Sequence, residues 1–556
     1  MSWDRLPSEI CFHIFKFLDF WDRKPLSLVC RRWNEVVFSR SICKSLCLEL
    51  SRGEWSHALE NEEVKVIDAS VVKASQRNYQ MVYIKWCNNS SAEMLNTIDK
   101  LLLELDQKCQ LEDMIIDAPI GQQLADFFNT HASLFMRIRK LHVSVESNEI
   151  RLQITRCDLR MGRLETLFWR EIITKDQPHL ERPIFSLQAP NLQSVAVKLA
   201  DSDSDNGNVW HSSLLEIDQC YRLRKLRVHL HWIMWESFFE QNLHTMENLT
   251  IFHKFDNLPV RSWDDIFSRM PNLKMIRISL ANDAIMTAIN RHCSKLETLL
   301  LDQVELTSSF WSTDRAFPNL VHLRIDAGQI RSDKALLLPV LHHLEWFNVQ
   351  NQDNHCLKIF APVLSMLRQA RYVPSDFMLL TTPPLCKLQL DLYASNIPDH
   401  FFRPYPTMQE LSFRVSSCRP DLDRVLGNFK HITKFILIAY NAQLQCDAML
   451  NEMFKHCESI TSLTLCGFNP NLQLSFPVFA QIFRNRNLRF LKLYGLNIAG
   501  KSSPLQPPPL LAKFEMRYIK VMDVALGAYV FSPDGPFRVV CKRTDEFCCY
   551  FTKDFA

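Results

Sequence analysis

Residues 270–301 read MPNLKMIRISLANDAIMTAINRHCSKLETLLL, and they hold one pattern twice. Leu273, Ile276 and Ile278 stand in the order apolar-x-x-apolar-x-apolar, and Leu296, Leu299 and Leu301 repeat it. Between the copies, Ala284, Ile285, Ala288 and Ile289 recur at helical spacing. The unit is a short strand, whose side chains alternate between two faces, followed by a helix that carries the chain back.

Working outward, the same triplet returns before this stretch at Leu111/Met114/Ile116, Ile138/Leu141/Val143, Leu164/Leu167/Trp169, Leu192/Val195/Val197, Leu223/Leu226/Val228 and Met246/Leu249/Ile251. After it come Leu320/Leu323/Ile325, Leu344/Phe347/Val349, Leu385/Leu388/Leu390, Met408/Leu411/Phe413, Ile432/Phe435/Leu437, Ile460/Leu463/Leu465 and Leu488/Leu491/Leu493. Weaker copies stand at Tyr79/Val82/Ile84 and Leu511/Phe514/Met516. From Met246 onward, most steps between first positions are 23 to 28 residues. The interval from Leu344 to Leu385 is too long for one unit, and a degenerate copy near Leu367 is expected there, eroded around Ala370 and Tyr372. A period in the twenties with this pattern is the signature of leucine-rich repeats. The expected fold is α/β: a solenoid or horseshoe with a parallel sheet inside and helices outside, each unit burying its leucines against its neighbours. Cys220, Cys293 and Cys457 each precede the first strand position by three residues, and Pro fills a nearby role in APNL, MPNL and FPNL. In this the repeats resemble the cysteine-containing leucine-rich repeats commonly paired with an F-box. They lack the regular Asn after the strand that marks extracellular-type repeats.

The N-terminus is different. Residues 6–36 read LPSEICFHIFKFLDFWDRKPLSLVCRRWNEV. Pro7 suits a helix start, because its ring fixes φ and its missing N–H would be unpaired in a first turn anyway. Ile10, Ile14, Phe15 and Leu18 form one apolar stripe, and Leu26, Val29, Cys30, Trp33 and Val36 a second. Helices this short expose more apolar surface than they can bury among themselves. Leu-Pro-x-Glu-Ile followed by Val-Cys-x-x-Trp resembles the F-box, over roughly residues 3–40, with Pro25 departing from the usual pattern. The resemblance implies an α-helical module in which Leu6, Pro7, Ile10, Ile14, Phe15, Leu18, Leu28, Val29, Cys30 and Trp33 bind the Skp adaptor of a Skp–cullin–F-box ubiquitin ligase and, through it, a cullin. The two stripes cannot all face outwards; some of these residues must pack within the helices. Cys30, on the apolar stripe, reads as a packed and inert thiol rather than a nucleophile.

The bulk numbers agree with an elongated repeat protein. The chain has 556 residues, 47% hydrophobic and 22% charged, more than one compact core supports. A net charge of +3 gives no case for nucleic acid. Glycine, at 11, is scarce for phosphate loops or dinucleotide folds. No basic-then-apolar leader opens the sequence, and no apolar run is long enough to cross a bilayer. The 18 scattered cysteines fit free thiols in a reducing compartment, cytoplasmic or nuclear. The expected divisions are the F-box at 1–40, a connecting segment with degenerate repeats at 41–110, leucine-rich repeats at 111–520 and a C-terminal cap at 521–556. Residues 201–208, DSDSDNGN, read as a solvated acidic loop, and residues 502–509, SSPLQPPP, as a stiff connector.

The residues offer no catalytic, metal or cofactor site. No nucleophile-elbow, phosphate-loop or His-Glu-x-x-His motif occurs. Cys548-Cys549 lack a second pair at zinc-finger spacing, and His342-His343 stand at the end of an expected repeat helix. What remains is the concave face. Positions beside the second and third apolar residues give Arg170, Lys198, Arg227, His229 and Arg277 first, then Asp302, Asp326 and Asp391 with Arg324, then a mostly basic last part. The first five, with Arg324, are the candidate substrate contacts, for an acidic or phosphorylated segment of a protein target. The expected function is the substrate-receptor subunit of an SCF-type ligase, itself non-catalytic. The alternative is an interaction scaffold whose F-box helices lead to no ubiquitin transfer.

Overall fold

The computed structural model describes residues 6–18, 25–37, 39, 47–51, 80–86, 92–108, most of 110–499, 513–521, 538–543 and 546–552. The chain divides into two compact units, Met1–Leu273 and Lys274–Ala556.

In the first unit two short helices, α1 (Ser8–Lys16) and α2 (Arg31–Val37), precede the sheet. The strands Cys47–Ser51, Met81–Lys85, Asp113–Pro119, Lys140–Ser147, Thr166–Ile173, Ser194–Asp201, Lys225–His229 and Asn248–Phe252 then pair in chain order, all parallel. The register follows the sequence pattern. Val82, Met114, Leu141, Leu167, Val195, Leu226 and Leu249 face one another from strand to strand, and all are buried. A row of apolar side chains aligned this way is what a solenoid uses in place of a single core.

The second unit builds the same ladder. Ile276, Leu299, Leu323, Leu344, Leu367, Leu388, Leu411, Phe435, Leu463, Leu491 and Phe514 are successive parallel partners. The long interval after Leu344 is filled by the strand Met366–Ala370, which pairs on both sides. The register corrects the expected triplet Leu344/Phe347/Val349: Leu344 pairs with Leu323 and Leu367 as a second position, so the triplets are Leu341/Leu344/Trp346 and Leu364/Leu367/Gln369, and the polar Gln369 at the third position is why the pattern fades there. At the C-terminal end Lys513–Val521 pairs parallel with Phe490–Tyr494 and antiparallel with Glu546–Thr552, which in turn pairs antiparallel with Arg538–Arg543. The DSDSDNGN loop beyond Asp201, the Pro-rich 502–509 and the first of the strand-like runs expected after 521 lie outside the described residues, as does much of 41–110.

The return segments differ from the expectation of helices throughout. Helices occur at Ala92–Lys108, Gln122–Thr130, Trp263–Ser268, Asp283–His292, Asp447–His456 and Phe476–Arg484. Other described return segments are short strands. Cys157–Arg160, Phe185–Gln188 and Leu215–Asp218 form one separate three-stranded parallel sheet, and Ala335–Leu337, Leu357–Phe360 and Phe377–Leu379 another. Cys157–Arg160 and Leu215–Asp218 alternate in burial with a period of two, as a strand with one covered face does, whereas Phe185–Gln188 between them is buried at its first three positions. His342-His343 accordingly end no helix; His343 opens an inner strand, its ring edge-on to His322 at 5.7 Å.

Two devices tie repeat to repeat. The cysteines before the strands are buried, free thiols. Cys457 donates its thiol to the Phe429 carbonyl at 2.9 Å. Burial pushes the Cys220 and Cys293 thiols up to about 12 and that of Cys457 to about 11, so they pack as small hydrophobes. The asparagines of the Pro-Asn-Leu turns reach back one repeat. Asn191, Asn272 and Asn319 donate their amides to the carbonyls of Gly162, His244 and Ser294, at 2.6, 2.7 and 2.7 Å. Among the described residues no helix is long and apolar enough to cross a membrane.

Candidate functional site: the N-terminal helices and the inner face

Helix α1 starts at Pro7, whose carbonyl accepts from the Ile10 and Cys11 amides at 3.1 Å. Glu9 lies in its first turn and Lys16 in its last, both favourable to the helix dipole. The helix carries two apolar stripes. Cys11, Phe15 and Leu18, at i, i+4 and i+7, turn toward α2; Cys11 and Phe15 join Trp33 and Val37 in a small core, against which Leu18 packs. Phe15 meets Trp33 edge to face at 5.1 Å. Ile10, Ile14 and Phe17 follow the same spacing one residue earlier, roughly 100° around the helix. Ile10 is 44% exposed and Phe17 is 87% exposed, while Ile14 is half-buried. The Phe17 backbone stays in the helical region, which keeps its ring on this second stripe.

The link between the helices adds to the exposed surface. Residues 25–29 make one turn, with Leu28 N–H donating to Pro25 and Val29 N–H to Leu26. Leu28 is 84% and Val29 57% exposed. Arg32 Nε donates to Ser8 Oγ at 3.2 Å and joins the start of α1 to α2. Large apolar side chains left open on a module this small mark an interaction surface.

The ten residues expected to bind the adaptor therefore separate. Pro7, Ile10, Leu28, Val29 and Cys30 are exposed, Leu6, Ile14 and Leu18 are half-buried, and Phe15 and Trp33 are core. Cys30 corrects the expectation of a packed thiol. It stands just before α2, where its sulfur accepts from the Trp33 N–H at 3.4 Å and so occupies a capping position rather than the apolar stripe. Phe17 was not among the ten. Its signal in the sequence is the Ile10–Ile14–Phe17 spacing, hidden because Phe15 and Leu18 lie in the same run.

The inner-face candidates also separate. Arg170 and Lys198 are register partners on adjacent strands, and neither makes an ion pair or hydrogen bond among the described residues. Arg227 holds its guanidinium carbon 5.2 Å from the centre of the Phe252 ring. His229 ends its strand, and its side chain lies outside the described residues. Arg277 donates Nε to Asp302 Oδ1 at 3.1 Å and Nη2 to Oδ2 at 3.2 Å. Arg324 grips Asp326 at 2.6 and 2.8 Å, which raises its pKa. Further along, Arg414 stands 3.8 Å from Asp391, and Glu345 accepts from His322 at 3.2 Å with Arg368 at 3.5 Å. The expected succession of basic and acidic segments is thus not a pattern of free charge. In the second unit, cation and carboxylate neighbours neutralise each other, because the Asp and Glu positions fall beside the Arg positions on adjoining or the same strands. Among the described residues no group of three or more His, Cys, Asp or Glu is arranged to hold a metal ion.

With this geometry in place, the chain is defined as a helical N-terminal module joined to a leucine-rich-repeat solenoid. The family model described as F-box-like matches residues 3–49. F-box/LRR-repeat protein 21 of Mus musculus is 22% identical over 288 residues, which cover 50% of this chain and 59% of that relative. The protein of the same name from Bos taurus is 21% identical over 292 residues, with the same coverage. The match thus spans little more than half the length of these relatives. An F-box-like domain precedes the repeats, and the chain resembles F-box/LRR-repeat proteins in this arrangement.

Proposed function

We propose that this chain is the substrate-receptor subunit of an SCF-type ubiquitin ligase. The F-box-like helices bind the Skp adaptor, and through it a cullin, and the inner face of the repeats holds a protein target. The observation that carries this reading is the exposed pair Ile10 and Phe17 on one side of α1, extended by Leu28 and Val29, while Ile14 between them packs against the helical core. Such side chains have no reason to remain in water unless a partner covers them. The chain performs no chemistry of its own in this role. It holds a target lysine near a loaded ubiquitin, so that transfer is effectively intramolecular. Of the inner-face residues, Arg170, Lys198 and Arg227 have no carboxylate partner among the described residues and are the proposed target contacts; Arg277 and Arg324 are engaged by their own aspartates. Buried free thiols at the repeat junctions support a reducing, cytoplasmic or nuclear, location.

Affinity purification of the full chain tests the proposal. Recovery of the adaptor together with a cullin is expected. Recovery of the adaptor without any cullin contradicts the ligase role and leaves an interaction scaffold.

A further inference from the structure

The outer three-stranded sheets of the two units share one construction and differ in what they show to solvent. In the first unit the outward rows are Asp158/Ser186/Glu216 and Arg160/Gln188/Asp218. They are polar and held by bonds of their own: Arg156 Nη2 donates to Glu216 at 3.0 Å and Ser186 Oγ to Asp218 at 2.9 Å. In the second unit the row Leu336/Ile359/Leu379 is buried, as the fold requires. Beside it Leu337 pairs with Phe360, and the Leu380 N–H, donating to the Ile359 carbonyl at 2.8 Å, carries the ladder one residue further. Leu337, Phe360 and Leu380 therefore form an outward row that is apolar, with Leu337 37% and Leu380 43% exposed.

The turns that follow extend this row. Val340 and Val363 stand just before Leu341 and Leu364, the position that Asn191, Asn272 and Asn319 hold in the Pro-Asn-Leu turns. Each of those asparagines donates back to the preceding repeat. A valine cannot, and both valines are left exposed. The apolar surface thus arises at two separate positions of the repeat, in the same two consecutive repeats, where neither the buried row nor the turn calls for it. Residues 335–343, 357–366 and 377–386 contain no Asp or Glu, and their one Lys or Arg is Lys358. Lys358 is exposed on the middle strand, opposite Met378, and makes no ion pair among the described residues.

We propose that this outer face is a docking site for an amphipathic helix of a partner protein, whose apolar stripe covers Leu337, Val340, Phe360, Val363 and Leu380 and whose flanking carboxylates meet Lys358. The outermost of three strands lie about 10 Å apart, and a helix is about 10–12 Å across, so one helix covers the row. Charge selects the occupant. A second copy would bring another Lys358 and no carboxylate to meet it. Attachment to an anionic lipid surface takes a cluster of cations, and this face has one. The face belongs to the outer strands, so the proposal stands apart from the reading of the inner face and of the N-terminal helices.

The test uses the purified full chain and three short fluorescent peptides designed as helices: a leucine stripe flanked by glutamates, the same stripe flanked by lysines, and a scramble of the first. By fluorescence anisotropy, the glutamate-flanked helix should bind about tenfold more tightly than the other two. The double variant Val340→Asn, Val363→Asn restores the residue that other turns of this chain carry, so its melting temperature should be unchanged or higher, while its affinity for the glutamate-flanked helix falls about tenfold. Lys358→Glu should reverse the preference toward the lysine-flanked helix. Gln188→Ala, on the outward face of the first unit, should have no effect. Equal binding of the three peptides, or full affinity in the folded valine double variant, would overturn the proposal. So would self-association in sedimentation velocity, or flotation with phosphatidylserine vesicles, that the double variant abolishes while no peptide binds; the face would then belong to a second copy or to a membrane.

Discussion

At the scale of single residues, the N-terminal helices separate packing from recognition. Phe15 and Trp33 are core, so truncating either to alanine should destabilise the helical module by about 3–5 kcal/mol, read as loss of its protection from proteolysis. Their effect on adaptor binding would be indirect. The sequence shows that the stripes are apolar but not which one faces outwards, because helical periodicity assigns neighbours and not partners. Burial of Cys11 and exposure of Phe17 decide it. The charged residues of the inner face behave likewise. Glu345 is held below its ordinary value of 4.5, chiefly by its hydrogen bond with His322, with burial opposing. A carboxylate depressed in the fold stabilises above its unfolded pKa, and that stability is lost as pH falls through the folded one. Glu345→Gln should therefore lower the melting temperature at neutral pH and flatten the acid limb of the melting profile. Asp391 has the opposite sign. Burial raises its pKa from 3.8, against the opposing charge of Arg414. A raised folded pKa contributes stability only at low pH and loses it as pH rises, so Asp391→Asn should leave the neutral melting temperature unchanged or higher. A marked fall would show that its ion pair outweighs desolvation.

At the scale of elements, the inner strands were legible because three apolar residues per repeat recur in a fixed order. Their registers coincide with that order from Val82 to Leu249 and from Ile276 to Phe514 except at one repeat, where Leu344 is the second position of Leu341/Leu344/Trp346 rather than the first of Leu344/Phe347/Val349. The return segments were less legible. Stretches such as FSLQ and LEID are four residues long, too short for periodicity to separate strand from helix. The Pro-Asn-Leu turns were noticed for their proline, whereas the asparagine makes the contact between repeats. Asn272→Ala should cost about 1 kcal/mol, the worth of one such hydrogen bond, measured by denaturant unfolding; an unchanged midpoint would show that solvent replaces it. Gly495 marks a tighter constraint. Its φ of 61° lies in the left-handed region, and a Cβ added there would meet the Gly467 carbonyl. Gly495→Ala should destabilise the second unit by about 1–3 kcal/mol or more, with the loss confined to neighbouring repeats in hydrogen exchange.

At the scale of the whole molecule, the chain joins a small under-buried helical module to a long repeat array. Each described repeat buries its leucines against its neighbours and presents its inner strand as surface. In the proposed reading, the helices and the inner face do the recognising and partners supply the transfer chemistry. The central claim is that the exposed stripe of α1 is the adaptor-binding surface. Its most direct test is quantitative co-purification of the Skp adaptor with the full chain, comparing the natural sequence with an Ile10→Asp, Phe17→Asp double variant. Both positions are outside the helical core, so proteolytic protection of the module should be retained. The account predicts that adaptor recovery falls about tenfold or more, with folding intact. Undiminished recovery by the folded double variant would contradict it.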